Sequence, residues 1–133
     1  ARQIVQTLAA AKIGAVGAGV IVLGVTFKEN CPDMRNSLVP NILAELKSYG
    51  CKLQVHDPYC DPKEAKKIGI HLFKKSELKP AHAVLIAVAQ KSFKERPLKY
   101  WQSLLLPGGI VADVKGIVPK NDLKLAGHPV WSL

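Results

Sequence analysis

At 133 residues, with 48% hydrophobic content and a mean hydropathy of +0.10, the chain can bury one full core, and composition excludes intrinsic disorder. Nowhere does an apolar run reach the roughly 18 residues that would mark a membrane-crossing helix. The 19 Lys and Arg against 10 Asp and Glu give a net charge of +9, which points to a phosphate-bearing ligand, nucleic acid or an acidic partner.

Nucleic acid fits poorly. There is no run of about five or six like charges, aromatic residues make up only 6%, and no aromatic-basic motif of an RNA-binding sheet is present. The three cysteines, Cys31, Cys51 and Cys60, form no C-x-x-C pair. That argues against zinc and for a reducing, cytoplasmic setting. Cys31 has no histidine near it in sequence and reads as an inert loop thiol. The chain starts Ala-Arg-Gln and its one methionine is Met34, so it is expected to be a piece of a longer protein.

Residues 2–13 have helix-forming composition, with Ile4, Val5 and Leu8 on one face. The glycines of Gly14-Ala15-Val16-Gly17-Ala18-Gly19 precede the first strand, whereas a dinucleotide fingerprint places its glycines after it. A hinge or tight turn is the better reading. The expected organisation is therefore a linking helix plus hinge over 1–18 and one domain over 19–133.

Val20-Ile21-Val22-Leu23-Gly24-Val25 is rich in β-branched residues and reads as a strand buried on both faces. A polar loop with Lys28, Glu29, Asn30, Asp33 and Arg35 follows. A helix is expected from Ser37 to Tyr49, capped by Asn36 or Ser37, with Pro40 in its first turn and Gly50 as its stop. The second strand is Lys52–His56, closed by Asp57-Pro58. Asp57 is either a ligand contact at a strand end or the cap of the next turn. A short helix over 62–67, a short strand over 70–73 and a helical turn over 76–79 follow. Ala83–Ala89 reads as a central strand. A helix is expected over 98–105, with Lys91, Lys94, Arg96 and Lys99 as its solvated surroundings. Pro107-Gly108-Gly109 should break the chain before a strand over 110–113. A turn of helix over 121–126 and an edge strand at 128–131 complete the pattern.

Strands alternating with helices predict an α/β fold: Rossmann-like, doubly wound, with a mostly parallel sheet of about six strands between helical layers. Ligands of such sheets sit beyond the carboxyl ends of the strands. That edge would gather residues 27–35, Asp57, Lys91 and Asp113 to Lys115. Several cations beside a helix N-terminus suit a nucleoside diphosphate.

Thr26-Phe27-Lys28-Glu29-Asn30, followed by Asp33-x-Arg35-Asn36-Ser37, resembles the signature of the C-terminal, UDP-sugar-binding domain of the UDP-glucose/GDP-mannose dehydrogenase family. The spelling FKENCPDxRN is most similar to the branch acting on UDP-N-acetylhexosamines, and the resemblance runs from about Gly19 to the end. It implies that Phe27 and Lys28 contact the UDP-sugar. It also implies that Arg35 reaches an NAD cofactor held mainly by an N-terminal domain outside this sequence. Asp113-Val114-Lys115 resembles a D-x-R segment whose Arg contacts substrate. Lys115 supplies the charge there without the bidentate fork. The implied activity is NAD-dependent oxidation of a sugar C6 alcohol to a uronic acid for polysaccharide biosynthesis, in a cytoplasmic homodimer. The family's catalytic Cys belongs to a segment this sequence does not contain, so the chain alone is expected to bind without turnover.

Three alternatives compete. A GDP-mannose dehydrogenase domain differs only in the base it reads. A phospho-acceptor receiver needs an acidic pair after its first strand, where this chain has Phe27-Lys28. A dehydrogenase domain with its own cofactor needs a Gly-rich turn after that strand, and none follows.

Overall fold

The computed structural model describes Gln6, Gly14, residues 16–26 and residues 37–131. Five strands form one sheet: β1 (Gly19–Leu23), β2 (Lys52–His56), β3 (Ala81–Ile86), β4 (Leu105–Asp113) and β5 (Val130–Trp131). Their order is β2-β1-β3-β4-β5, and every pairing is parallel. The connections are α1 (Val39–Ser48), α2 (Pro62–Lys67), α3 (Leu98–Ser103) and α4 (Lys120–Leu125).

The alternation of β1 explains the layers. Val20 and Val22 face one core with Val39, Leu43 and Leu46 of α1 and Ala65 of α2. Ile21 and Leu23 face the other with Trp101 of α3 and Leu123 of α4. All four β1 side chains are fully buried, so the strand carries no polar residue. From β1 the chain moves outward to β2, then returns to the other side of β1 as β3. The topological switch point, where such sheets bind ligands, therefore lies between β1 and β3.

Three expectations change. The strand expected over 70–73 is reduced to a single bridge from Val55 to Leu72, with the Phe73 N–H donating to the Val55 carbonyl at 2.7 Å. Only Ile70 of this segment is buried, so little holds it as a sixth strand at the sheet edge. The helix expected over 98–105 stops at Ser103, because Leu105 already belongs to β4. Pro107-Gly108-Gly109 does not end that strand. β4 runs through it, with Gly108 at φ +75° and a register irregularity opposite Ala81 and Ala83.

The early glycines behave as a turn. Gly17, at φ +82°, donates its N–H to the Gly50 carbonyl at 2.8 Å, at the amino edge of the sheet. A cofactor loop would have to lie at the opposite edge. Gln6 apart, the linking helix expected over 2–13 lies outside the described residues. Among the described residues no helix is long and apolar enough to cross a membrane.

Candidate functional site

At the carboxyl edge the chain leaves β1 through Gly24, at φ +90°, whose N–H donates to the His56 carbonyl at 2.9 Å. A Cβ on Gly24 would sit 2.6 Å from the Val88 Cβ and 2.7 Å from the Val88 carbonyl oxygen. Only glycine lets the segment after β3 come this close.

Val25 and Thr26 then bury completely, and Asp57 collects their backbone. Its Oδ2 accepts from the Val25 N–H at 2.7 Å and the Thr26 N–H at 3.3 Å. Its Oδ1 accepts from the Tyr59 N–H at 2.8 Å, which shapes the turn after β2. Gln90, fully buried after β3, donates its side-chain amide to both carboxylate oxygens, at 3.2 and 2.9 Å, and to Thr26 Oγ1 at 2.7 Å. The ends of three strands are thus knotted around one carboxylate. Of the two readings of Asp57, the geometry supports the structural one, since four N–H groups already converge on it.

Ser37 ties the far end of the same loop. Its Oγ donates to the Val25 carbonyl at 2.8 Å and accepts from the Val39 N–H at 3.2 Å, serving the start of α1. Both ends of the segment 27–36 are therefore fastened at Val25. Phe27, Lys28, Arg35 and Cys31 lie within that segment, outside the described residues.

Lys115 is described. It is exposed on the turn after β4, at the same carboxyl edge. Buried Asp113 builds this turn by accepting from the Gly116 N–H and the Val118 N–H, each at 2.9 Å. The structure thus puts Lys115 where the sequence expected it and makes Asp113 a scaffold.

Lys91, Lys94 and Arg96 do not simply surround α3. With Tyr59 they line a pocket of about 500 Å³ beside the ends of β2 and β3. Sequence reasoning also missed Gln90. Its one signal was a polar residue directly after the apolar run of β3. Cys60 is buried, and burial together with the charges of Asp57, Asp61 and Glu64 pushes its thiol up to about 11. It stays protonated and unreactive at neutral pH. No group of three or more metal-ligating residues occurs among the described residues.

This architecture defines a Rossmann-like α/β domain, and comparison with known proteins names its class. The profile of the UDP-glucose/GDP-mannose dehydrogenase family, UDP binding domain, matches residues 21–120. The chain belongs to that family. It is 45% identical over 118 residues to Protein CapL of Staphylococcus aureus, covering 88% of this chain and 27% of that protein. It is 31% identical over 127 residues to a UDP-N-acetyl-D-glucosamine 6-dehydrogenase of Salmonella typhi, covering 92% of this chain and 30% of that protein. The fold is shared with an NDP-N-acetyl-D-galactosaminuronic acid dehydrogenase of Methanosarcina mazei Go1 at a TM-score of 0.85 and 16% identity, over 98% of this chain and 28% of that one. The chain thus spans less than a third of the length of these relatives.

Proposed function

We propose that the chain is the nucleotide-sugar-binding part of an NAD-dependent UDP-N-acetylhexosamine 6-dehydrogenase. The observation that carries this reading is the fastening of both ends of the segment 27–36 at Val25, by Asp57 on one side and Ser37 on the other. That segment spells the family's motif and emerges beside the switch point of the sheet. Lys28 and Lys115 supply positive charge to the diphosphate, and Phe27 packs against the nucleotide-sugar. Arg35 faces the nicotinamide cofactor, which the rest of the whole enzyme holds. The chemistry is two successive hydride transfers from the C6 carbon to NAD, with one water added, giving a carboxylate. Its thiol nucleophile and general base come from elsewhere in a homodimeric enzyme. A position in the cytoplasm suits an enzyme that uses NAD and a nucleotide-sugar.

Calorimetric titration with UDP, UDP-N-acetylglucosamine and GDP tests the reading. UDP and the UDP-sugar should bind, and GDP should not. Binding of GDP alone would transfer the chain to the GDP-mannose branch, and binding of none would remove the assignment.

A further inference from the structure

Beyond β2 the sheet ends on backbone that nothing pairs. Leu72 forms the single parallel bridge to Val55. In such a bridge the flanking residues make the bonds to the neighbouring strand, and the Phe73 N–H does so, donating to the Val55 carbonyl at 2.7 Å. The N–H and carbonyl of Leu72 itself point away from the sheet, and neither makes a hydrogen bond among the described residues. An outward donor and acceptor on one residue are what an incoming strand pairs with.

The surroundings suit the side chains of such a strand. The Leu72 side chain lies on the face covered by α1 and α2. There it lines a pocket of about 430 Å³ with Pro62, Lys63, Lys66 and Ile70. Ile70 also lines an adjoining pocket of about 250 Å³, against Leu43 and Lys47 of α1, where Ile68 is left 51% exposed. The ammonium and carboxylate charges lining the two pockets are all of one sign, those of Lys47, Lys63 and Lys66. None of the three makes an ion pair among the described residues, and Glu64 of α2 is taken by Lys67 at 3.1 Å.

We propose that Ile70–Leu72 is a docking edge for an extended acidic segment of a partner protein, which adds to the sheet as its next strand. An apolar residue opposite Leu72 fills the larger pocket. Residues two positions to either side share its face, so Asp or Glu there reach Lys63 and Lys66. A helix would satisfy the pocket but not the Leu72 backbone. A second copy of the chain is the wrong occupant: pairing Leu72 with its twin would bring two sets of Lys63 and Lys66 together, on chains that each carry +9. The proposal goes beyond nucleotide-sugar binding and does not depend on it.

The test is titration of the isotopically labelled chain with a blocked peptide, Glu-Thr-Ile-Thr-Glu. The Leu72 amide signal should shift saturably and become protected from hydrogen exchange. The same peptide methylated at the isoleucine nitrogen loses the bond to the Leu72 carbonyl and should bind far more weakly. Combined Lys63→Glu and Lys66→Glu substitutions, both on exposed side chains, should weaken the glutamate peptide about tenfold. They should also confer binding of Lys-Thr-Ile-Thr-Lys, which the parent chain rejects, and this gain separates altered recognition from a lost fold. Combined Lys99→Gln and Lys124→Gln substitutions, on α3 and α4, should change nothing. No saturable shift at Leu72, undiminished binding of the methylated peptide, or equal losses in the two double variants would overturn the proposal. So would a chain that sediments as a dimer with the Leu72 amide already protected, which would give the edge to a second copy. UDP is absent throughout, so this result and the outcome of UDP titration are read separately.

Discussion

Asp57 shows how one side chain can set the geometry of a binding edge. The sequence revealed a carboxylate at a strand end but not its partners. Gln90 lies 33 positions away and Val25 lies 32 away. No local pattern links such residues; only the return of the chain to the other side of β1 brings them together. The arrangement predicts a specific failure. In Asp57→Asn, either placement of the new NH₂ confronts a donor, whether the Val25 and Thr26 amides, the Tyr59 amide or the Gln90 amide. Lost charge-assisted bonds and facing donors should cost about 2–4 kcal/mol, read as a lower urea midpoint. Gln90→Leu should cost less, because the backbone donors to Asp57 remain. UDP affinity should fall in both variants, since the exit from β1 is loosened. An Asp57→Asn chain as stable as the parent would mean that the knot contributes nothing.

Strands were the most legible elements, because β1 and β3 are buried on both faces and therefore read as unbroken apolar runs. Their ends and edges were less legible. Pro107-Gly108-Gly109 looks like a terminator, yet β4 absorbs it through a register shift against β3, in a stretch that β5, which pairs only with Val111 and Ala112, leaves unpaired on its other side. Ile70–Phe73 has strand-forming residues but too little burial to become one. Glycines show the same limit, since composition does not say which of them is indispensable. Gly17 and Gly24 both have positive φ, but a Cβ on Gly17 meets nothing within 4 Å, whereas one on Gly24 strikes Val88. Gly17→Ala should therefore cost about 1 kcal/mol, from backbone strain alone, and leave nucleotide affinity unchanged. Gly24→Ala adds a clash with the backbone between β3 and Gln90, and should cost about 2–4 kcal/mol in all. Denaturant midpoints for the two variants separate strain from collision. Equal losses would show that the β1–Val88 contact relaxes freely.

Over the whole molecule two causes of anion binding have to be separated: the field of a chain carrying +9 and the local placement of particular cations. Composition alone disclosed the first. The family's motif is what proposes the second for the segment 27–36, whereas nothing in the sequence grouped Lys75 with Lys91, Lys94 and Arg96, because the 3₁₀ turn at Lys91–Phe93 and the reversal at Glu95, φ +60°, that bring them together leave no periodic signature. The two causes respond differently to salt. A diffuse field is screened within roughly 8–10 Å at physiological ionic strength, whereas a direct contact persists. Lys28→Ala should remove a charge-assisted hydrogen bond to the nucleotide-sugar, of roughly 1.5–3 kcal/mol, and so weaken UDP-sugar binding about ten- to a hundredfold. Lys28→Arg should restore only part of this, because a planar fork does not fill the place of a compact ammonium. The control is Lys124→Ala, exposed on α4. It removes the same unit charge and should change affinity little. Titrations at low and moderate salt then decide the matter. Most of the Lys28 loss should survive the added salt. Equal losses in the two alanine variants, both vanishing with salt, would reduce the site to the basic balance of the chain.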